Sequence, residues 1–168
     1  MIKRELYMNR IRPFIGGELI KVMTGIRRSG KSVMLELIKE ELAEAGVAPS
    51  QMISINFEDM RYSHLQTATA LHDEIIKRAE GIEGKAYLFF DEIQEVEGWE
   101  KCVNSLRVAL DCDIYITGSN AKLLSGELAT YIGGRYVEFV IYPFSFAEFL
   151  ELYHLSLIHI SEPTRLAL

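Results

Sequence analysis

Apolar residues recur along this chain in two alternating rhythms. Short β-forming runs at 19–24, 52–57, 87–90, 114–117 and 136–141 are separated by stretches whose apolar positions return every three or four residues. After residue 32, Met34, Leu35, Ile38, Leu42 and Ala45 share one helical face, with Glu36, Lys39, Glu40 and Glu44 on the other. Gly46 is placed to cap that helix and Pro49 to stop it restarting. Ala68, Leu71, Ile75 and Ala79 predict a second helix over 67–80, with Gly81 and Gly84 beyond it. Trp99, Cys102, Val103, Leu106 and Leu110 mark a third, and a fourth is expected from about 121 to 132. The run 87–90 is apolar at every position, as in a parallel strand covered on both faces. Strand and helix in alternation, with short connections, imply a mostly parallel sheet between two helical layers.

The junction between the first strand and the first helix carries the clearest chemistry. Gly25, Ile26, Arg27, Arg28, Ser29, Gly30, Lys31 and Ser32 match G-x-x-x-x-G-K-[ST], a phosphate-binding loop. Glycines let the backbone curl into a nest of N–H groups, and the following helix adds the positive end of its dipole. In such a loop Lys31 reaches the outer phosphates and the Ser32 hydroxyl sits on Mg²⁺. The strand before it and the amphipathic helix after it are the context this motif requires.

A second element ends the third strand. Asp91 and Glu92 follow four apolar residues, which puts two carboxylates at the carboxyl edge of the sheet, where ligands of open α/β folds bind. Asp91 is placed to hold Mg²⁺ through its water shell and Glu92 to orient or deprotonate an attacking water. The polar stretch Thr117-Gly118-Ser119-Asn120 ends the fourth strand beside them. Ser119 or Asn120 is either a helix N-cap alone or a cap with a catalytic neighbour. Asn56, ending the second strand, either hydrogen-bonds Glu92 or simply turns the chain.

Composition narrows the class. The 168 residues suit one domain with a three-layer core, and 49% hydrophobic with 25% charged residues is ordinary for a globular protein. No apolar run approaches the ~20 residues of a membrane span, and the N-terminus lacks a signal-peptide core. Cys102 and Cys112 have no metal-type spacing and read as reduced structural thiols, which points to the cytoplasm. A net charge of −6 argues against indiscriminate nucleic-acid binding. Lys3, Arg4, Arg10, Arg12 and Lys21 nevertheless crowd the N-terminal segment, as a solvated face or a local basic patch.

The segments GIRRSGKS, YLFFDEIQ followed by Trp99, YITGSNAKLLSGE, GGRY and YPFSFAEFLEL, in this order, resemble a prokaryotic family of AAA-type P-loop ATPases. The resemblance covers roughly residues 4–153. It implies a three-layer α/β fold with a five-stranded sheet of order 5-1-4-3-2. It also implies that residues 25–32 are the Walker A loop, that Asp91 and Glu92 are the Walker B pair, and that Asn120 or Ser119 is a sensor-like position. Arg135, in GGRY, matches an arginine typical of the family and is expected to be an arginine finger or a structural salt bridge. ATP and Mg²⁺ are the implied cofactors. Family members usually continue into a further C-terminal domain, so 1–154 is expected to be the ATPase domain of a larger protein. Residues 155–168, with SLIHISEPTR, resemble translated adapter sequence and are expected to be a non-native or disordered tail. The expected activity is Mg²⁺-dependent ATP hydrolysis. A nucleotide-gated switch for a protein or DNA partner and a small-molecule kinase are the alternatives, and self-association into a homo-oligomer is a further expectation. No membrane partner is expected.

Overall fold

Five strands form one sheet in this computed structural model, which describes residues 3–119, 123, 132–146, 148 and 150. They are β1 (Ile20–Thr24), β2 (Met52–Asn56), β3 (Ala86–Asp91), β4 (Cys112–Gly118) and β5 (Tyr136–Val140). Every pairing is parallel and the spatial order is β2-β3-β4-β1-β5, the 5-1-4-3-2 arrangement expected from the sequence. Among the described residues the helices α1 (Glu5–Ile11), α2 (Lys31–Glu44), α3 (Ala68–Ala79) and α4 (Trp99–Ala109) surround it.

Side chains alternate across a strand, so each strand feeds two cores. Leu88, Phe90, Ile114 and Ile116 meet Leu71 and Ile75 of α3 and Trp99, Val103 and Leu106 of α4 on one face. Phe89, Tyr115 and Met23 meet Tyr7, Met8 and Ile11 of α1 and Met34, Leu35 and Ile38 of α2 on the other. Phe89 and Tyr115 stack with ring centroids 4.9 Å apart.

Helix ends follow local chemistry. The Thr67 hydroxyl accepts from the Ala70 amide and caps α3. Helix α2 ends before left-handed Gly46, whose amide donates to the Ala43 carbonyl, and Pro49 opens a 3₁₀ turn over Pro49–Gln51. Ala45, expected on the buried face of α2, is exposed, and Leu37 is buried in addition to the expected positions. The expected helix over 121–132 lies outside the described residues except for buried Leu123 and Ile132. Asn120 and the expected tail at 155–168 also lie outside them.

Two N-terminal features depart from expectation. Helix α1 had no place in the sequence reading; it forms because Tyr7, Met8 and Ile11 bury one side of a short turn of chain. The N-terminal basic residues do not share one face: some are buried and paired, others exposed. Arg4 is buried and paired with Glu148, Arg12 is paired with Glu5 and Glu41, and Lys21 is wholly buried against Asp113. Of that group only Lys3 and Arg10 are left exposed without an ion pair among the described residues. Desolvation lowers the pKa of Lys21 and the Asp113 carboxylate opposes that shift. Asp113 also accepts from the Gly16 amide and the Tyr115 hydroxyl, tying the loop before β1 to β4.

Candidate functional site

The strand order brings the carboxyl ends of β1, β3 and β4 side by side. Met23 pairs with Thr117, and Phe90 with Ile116, so Gly25, Asp91 and Thr117 emerge at one edge of the sheet. These are the elements the sequence reading singled out, brought together by topology.

The loop at 25–32 is shaped by its glycines. Gly25 runs hard against the Ile141 backbone, where any Cβ would collide with the Ile141 carbonyl. Gly30 has φ +94, a conformation that strains any other residue, and a Cβ there would lie 2.9 Å from Arg4 Nη1. Gly30 accepts the Met34 amide. The N–H groups that open α2 at Lys31, Ser32 and Val33 have no partner four residues back within the helix. Lys31 is 4% exposed and its Nζ donates to the Gly25 and Ile26 carbonyls, each at 3.3 Å. Among the described residues this ammonium is met by two loop carbonyls and one carboxylate, contacts that an anionic ligand could replace.

Glu92 is that carboxylate. Its Oε1 lies 3.4 Å from Lys31 Nζ, and its Oε2 accepts from Gln94 Nε2 at 2.5 Å. The backbone of Glu92 is left-handed at φ 55, a strained conformation for a non-glycine residue of the kind found at functional sites. The Thr117 hydroxyl bridges the acidic pair, donating to Asp91 Oδ1 and accepting from the Glu92 amide. Asp91 is 6% exposed. Among the described residues no group of three or more His, Cys, Asp or Glu is built to hold a metal alone. Ser32 and Asp91 instead offer one hydroxyl and one carboxylate, the sparse set of oxygen donors suited to Mg²⁺ that keeps waters and phosphate oxygens as its other ligands.

Asn56 turns the chain: its Oδ1 accepts from the Glu58 amide at 2.9 Å, and Glu92 takes Gln94 and Lys31 as partners instead. The sequence reading assigns Gln94 no role and Arg4 only a place among the N-terminal basic residues. The signal for Gln94 was its place two residues after the acidic pair; for Arg4 there was none, because its partners lie 25 to 144 positions away. A cleft of about 720 Å³ opens over the site, lined by Arg27, Lys31, Phe57, Glu58, Glu92, Gln94, Glu95 and Ser119. An adjoining hollow of about 470 Å³ runs along Arg28 to Val33 and reaches Phe144. Cys102 and Cys112 are buried elsewhere, and burial pushes their thiols up to about 12 and about 11.

A family model described as an AAA domain matches residues 18–150. The chain belongs to the AAA-type P-loop ATPases. This AAA domain is 48% identical over 150 residues to an uncharacterized protein of Haemophilus influenzae, covering 89% of this chain and 38% of that protein. It is 41% identical over 133 residues to an uncharacterized protein of Methanocaldococcus jannaschii, covering 79% of this chain and 28% of that one. The chain therefore spans well under half the length of these relatives. Among solved structures, AMPPCP-bound DnaA from Aquifex aeolicus shares the fold at a TM-score of 0.57 and 17% identity, over 93% of this chain and 53% of that one.

Two further sites in the AAA domain had been expected from sequence. Ser119 lines the larger cleft, while Asn120 lies outside the described residues. Arg135 stands at the opposite end of the sheet from the loop. It immediately precedes β5, whose first residue pairs with Ile20 at the start of β1. Five residues of β1 separate that level from Gly25, about 16 Å of strand and more than an arginine side chain spans. Arg135 is exposed and makes no ion pair among the described residues. No described helix is long and apolar enough to cross a membrane.

Proposed function

We propose that this AAA domain binds ATP at the loop 25–32 and hydrolyses it with Mg²⁺. The observation that carries this reading is the meeting of Lys31, Asp91, Glu92 and Thr117 at one sheet edge beneath an open cleft. The triphosphate takes over the contacts that Lys31 makes with loop carbonyls, and the free amides at the start of α2 take its oxygens. Ser32 and Asp91 would hold Mg²⁺, which would supply neutralising charge on the phosphate oxygens. Displaced from Lys31, Glu92 orients a water for in-line attack on the γ-phosphorus and accepts its proton, while the bond to the bridging oxygen breaks and ADP leaves. Lys31 offsets charge on the transferring group.

Arg135 has no route to this centre within one chain, so an arginine-finger role requires a second copy that presents it to its neighbour's cleft. A homo-oligomer is part of the proposal on that ground. Two unpaired buried thiols support a cytoplasmic location. The tether of Glu92 to both Lys31 and Gln94 also favours a second reading, a nucleotide-gated switch whose turnover stays low until a protein or DNA partner releases Glu92.

The deciding experiment is an ATP turnover assay with Mg²⁺, with and without DNA, against a Lys31→Ala control. Turnover lost in the control supports hydrolysis at this site. Nucleotide binding with negligible turnover favours the switch. No binding to either protein would remove both readings.

A further inference from the structure

The N-terminal arginine is the most densely connected charged side chain near the site. Arg4 Nη1 donates to the Ser29 carbonyl at 2.8 Å, Nη2 to the Tyr142 carbonyl at 2.7 Å, and Nε to Glu148 Oε1 at 2.9 Å. Its side chain is 1% exposed, and its guanidinium lies over the rings of Tyr7 at 4.6 Å and Phe144 at 5.0 Å. Each donor direction of one planar group thus serves a different segment, which a lysine cannot reproduce. The backbone of Arg4 is itself left-handed, at φ 43 and ψ 48.

One of those segments is the phosphate loop. Ser29 immediately precedes Gly30 and Lys31, and a Cβ at Gly30 would lie 2.9 Å from Arg4 Nη1, so any side chain there displaces the guanidinium. The other two are parts of the chain that leaves β5. Ile141 donates to the Thr24 carbonyl and its own carbonyl presses on Gly25. Tyr142 donates its amide to the Tyr7 hydroxyl. Glu148 Oε2 accepts from the Ser145 amide, and the Ser145 hydroxyl accepts from the Glu148 amide, a reciprocal capping pair. Phe144, stacked on Arg4, lines the same hollow as Lys31 and Ser32.

We propose that Arg4 is a positioning residue that holds the Ser29 end of the phosphate loop and couples the loop's occupancy to the segment from Tyr142 to Glu148. Phosphate drawing the amides at 30–33 toward the cleft moves the Ser29 carbonyl, and Arg4 carries that movement to the Tyr142 carbonyl and the Glu148 carboxylate. The segment leaving β5 then reads the nucleotide state. This rests on the proposal that the loop binds ATP.

Hydrogen exchange on the full chain, with and without saturating Mg·AMPPNP, tests the coupling without any substitution. Exchange at the amides of Tyr142, Phe144 and Ser145 slows at least severalfold on binding. Arg4→Gln weakens Mg·AMPPNP binding by about tenfold to a hundredfold, as expected for loss of charge-assisted hydrogen bonds, and abolishes that change in exchange. Arg4→Lys restores charge without the fork and recovers less than half of the lost exchange response. A purely structural Arg4 lowers the melting temperature of the variants yet leaves affinity and exchange response at wild-type values, and that result overturns the proposal. Should Arg4→Gln fail to fold, unchanged exchange at 142–145 in nucleotide-saturated wild type overturns it equally. Wild type that binds no Mg·AMPPNP overturns the reading of the site itself, and the coupling with it.

Discussion

Lys31 Nζ lies 3.4 Å from Glu92 Oε1, so the residue proposed to grip phosphate holds the residue proposed to activate water. Both are largely withdrawn from solvent, at 4% and 17% side-chain exposure, which keeps their attraction from being screened away. Under the proposed function an incoming phosphate would compete with Glu92 for the ammonium, and binding and the arming of the base would be one event.

Lys31→Ala is expected to remove most ATP affinity while the fold persists, since the side chain contacts loop carbonyls and Glu92 rather than the core. With Mg·ATP at one hundred times Kd, wild type gains about 2.7 kcal/mol of stability. Thermal melts with and without nucleotide check this. Equal shifts in both proteins would show that the loop is not the site.

Glu92→Gln keeps the size of the side chain and loses its proton-accepting charge. ATP should still bind, while turnover falls by roughly 10²–10⁴. Steady-state kinetics beside a binding titration separate the two. Undiminished turnover would exclude Glu92 as the group acting on water.

Arg135 offers a test of assembly. Acting across a subunit boundary, an arginine finger contributes roughly 10³–10⁵ in rate, and activity rises more than linearly with protein concentration. Mixing Arg135→Ala with Glu92→Gln subunits should then restore turnover that neither has alone. Strict linearity and no rescue would remove Arg135 from the chemistry, given its place at the far end of the sheet.

Lys21→Met isolates the structural ion pair from the site. It leaves Asp113 buried without its cation, and breaking such a pair costs about 3–5 kcal/mol. Urea melts should show that loss, while the ATP affinity of the protein that remains folded stays at the wild-type value. A cost below about 1 kcal/mol would mean that the Tyr115 hydroxyl and Gly16 amide suffice to satisfy Asp113.

The Glu148 carboxylate gives a pH signature. Burial raises its pKa, but the hydrogen bond and charge of Arg4 and the bonds from Ser145 outweigh that and set it below the ordinary 4.5. The ionised form is therefore favoured by folding. Its contribution is complete above pH 4.5 and is lost as pH falls through the lowered native value. The stability difference between wild type and Glu148→Gln should narrow over that acid range. A difference constant with pH would show that the Arg4 contact does not depend on charge.

The chain itself carried the loop, the acidic pair and the strand runs, which are contiguous segments. Helical period marks Leu71–Ile75, while Leu88–Phe90, apolar throughout, reads as a strand through its short length and flanking residues. Tertiary structure decided which side chains meet. Arg4 and Lys21 look like two more members of a basic N-terminus until Glu148 and Asp113, far along the chain, arrive beside them. Asn56 is the partner that sequence offers Glu92; the structure instead gives Glu92 Oε2 to Gln94, beside the left-handed turn at Glu92, and leaves Asn56 to the Glu58 amide. Arg135 matches an arginine of the family that the chain resembles, yet parallel register carries it to the opposite edge of the sheet from the loop. A local pattern fixes backbone conformation through torsional preference and burial, over a few residues. Pairing of buried charges is a matter of strand order and of the desolvation that forces each charge to find its partner, and neither is written in any one segment.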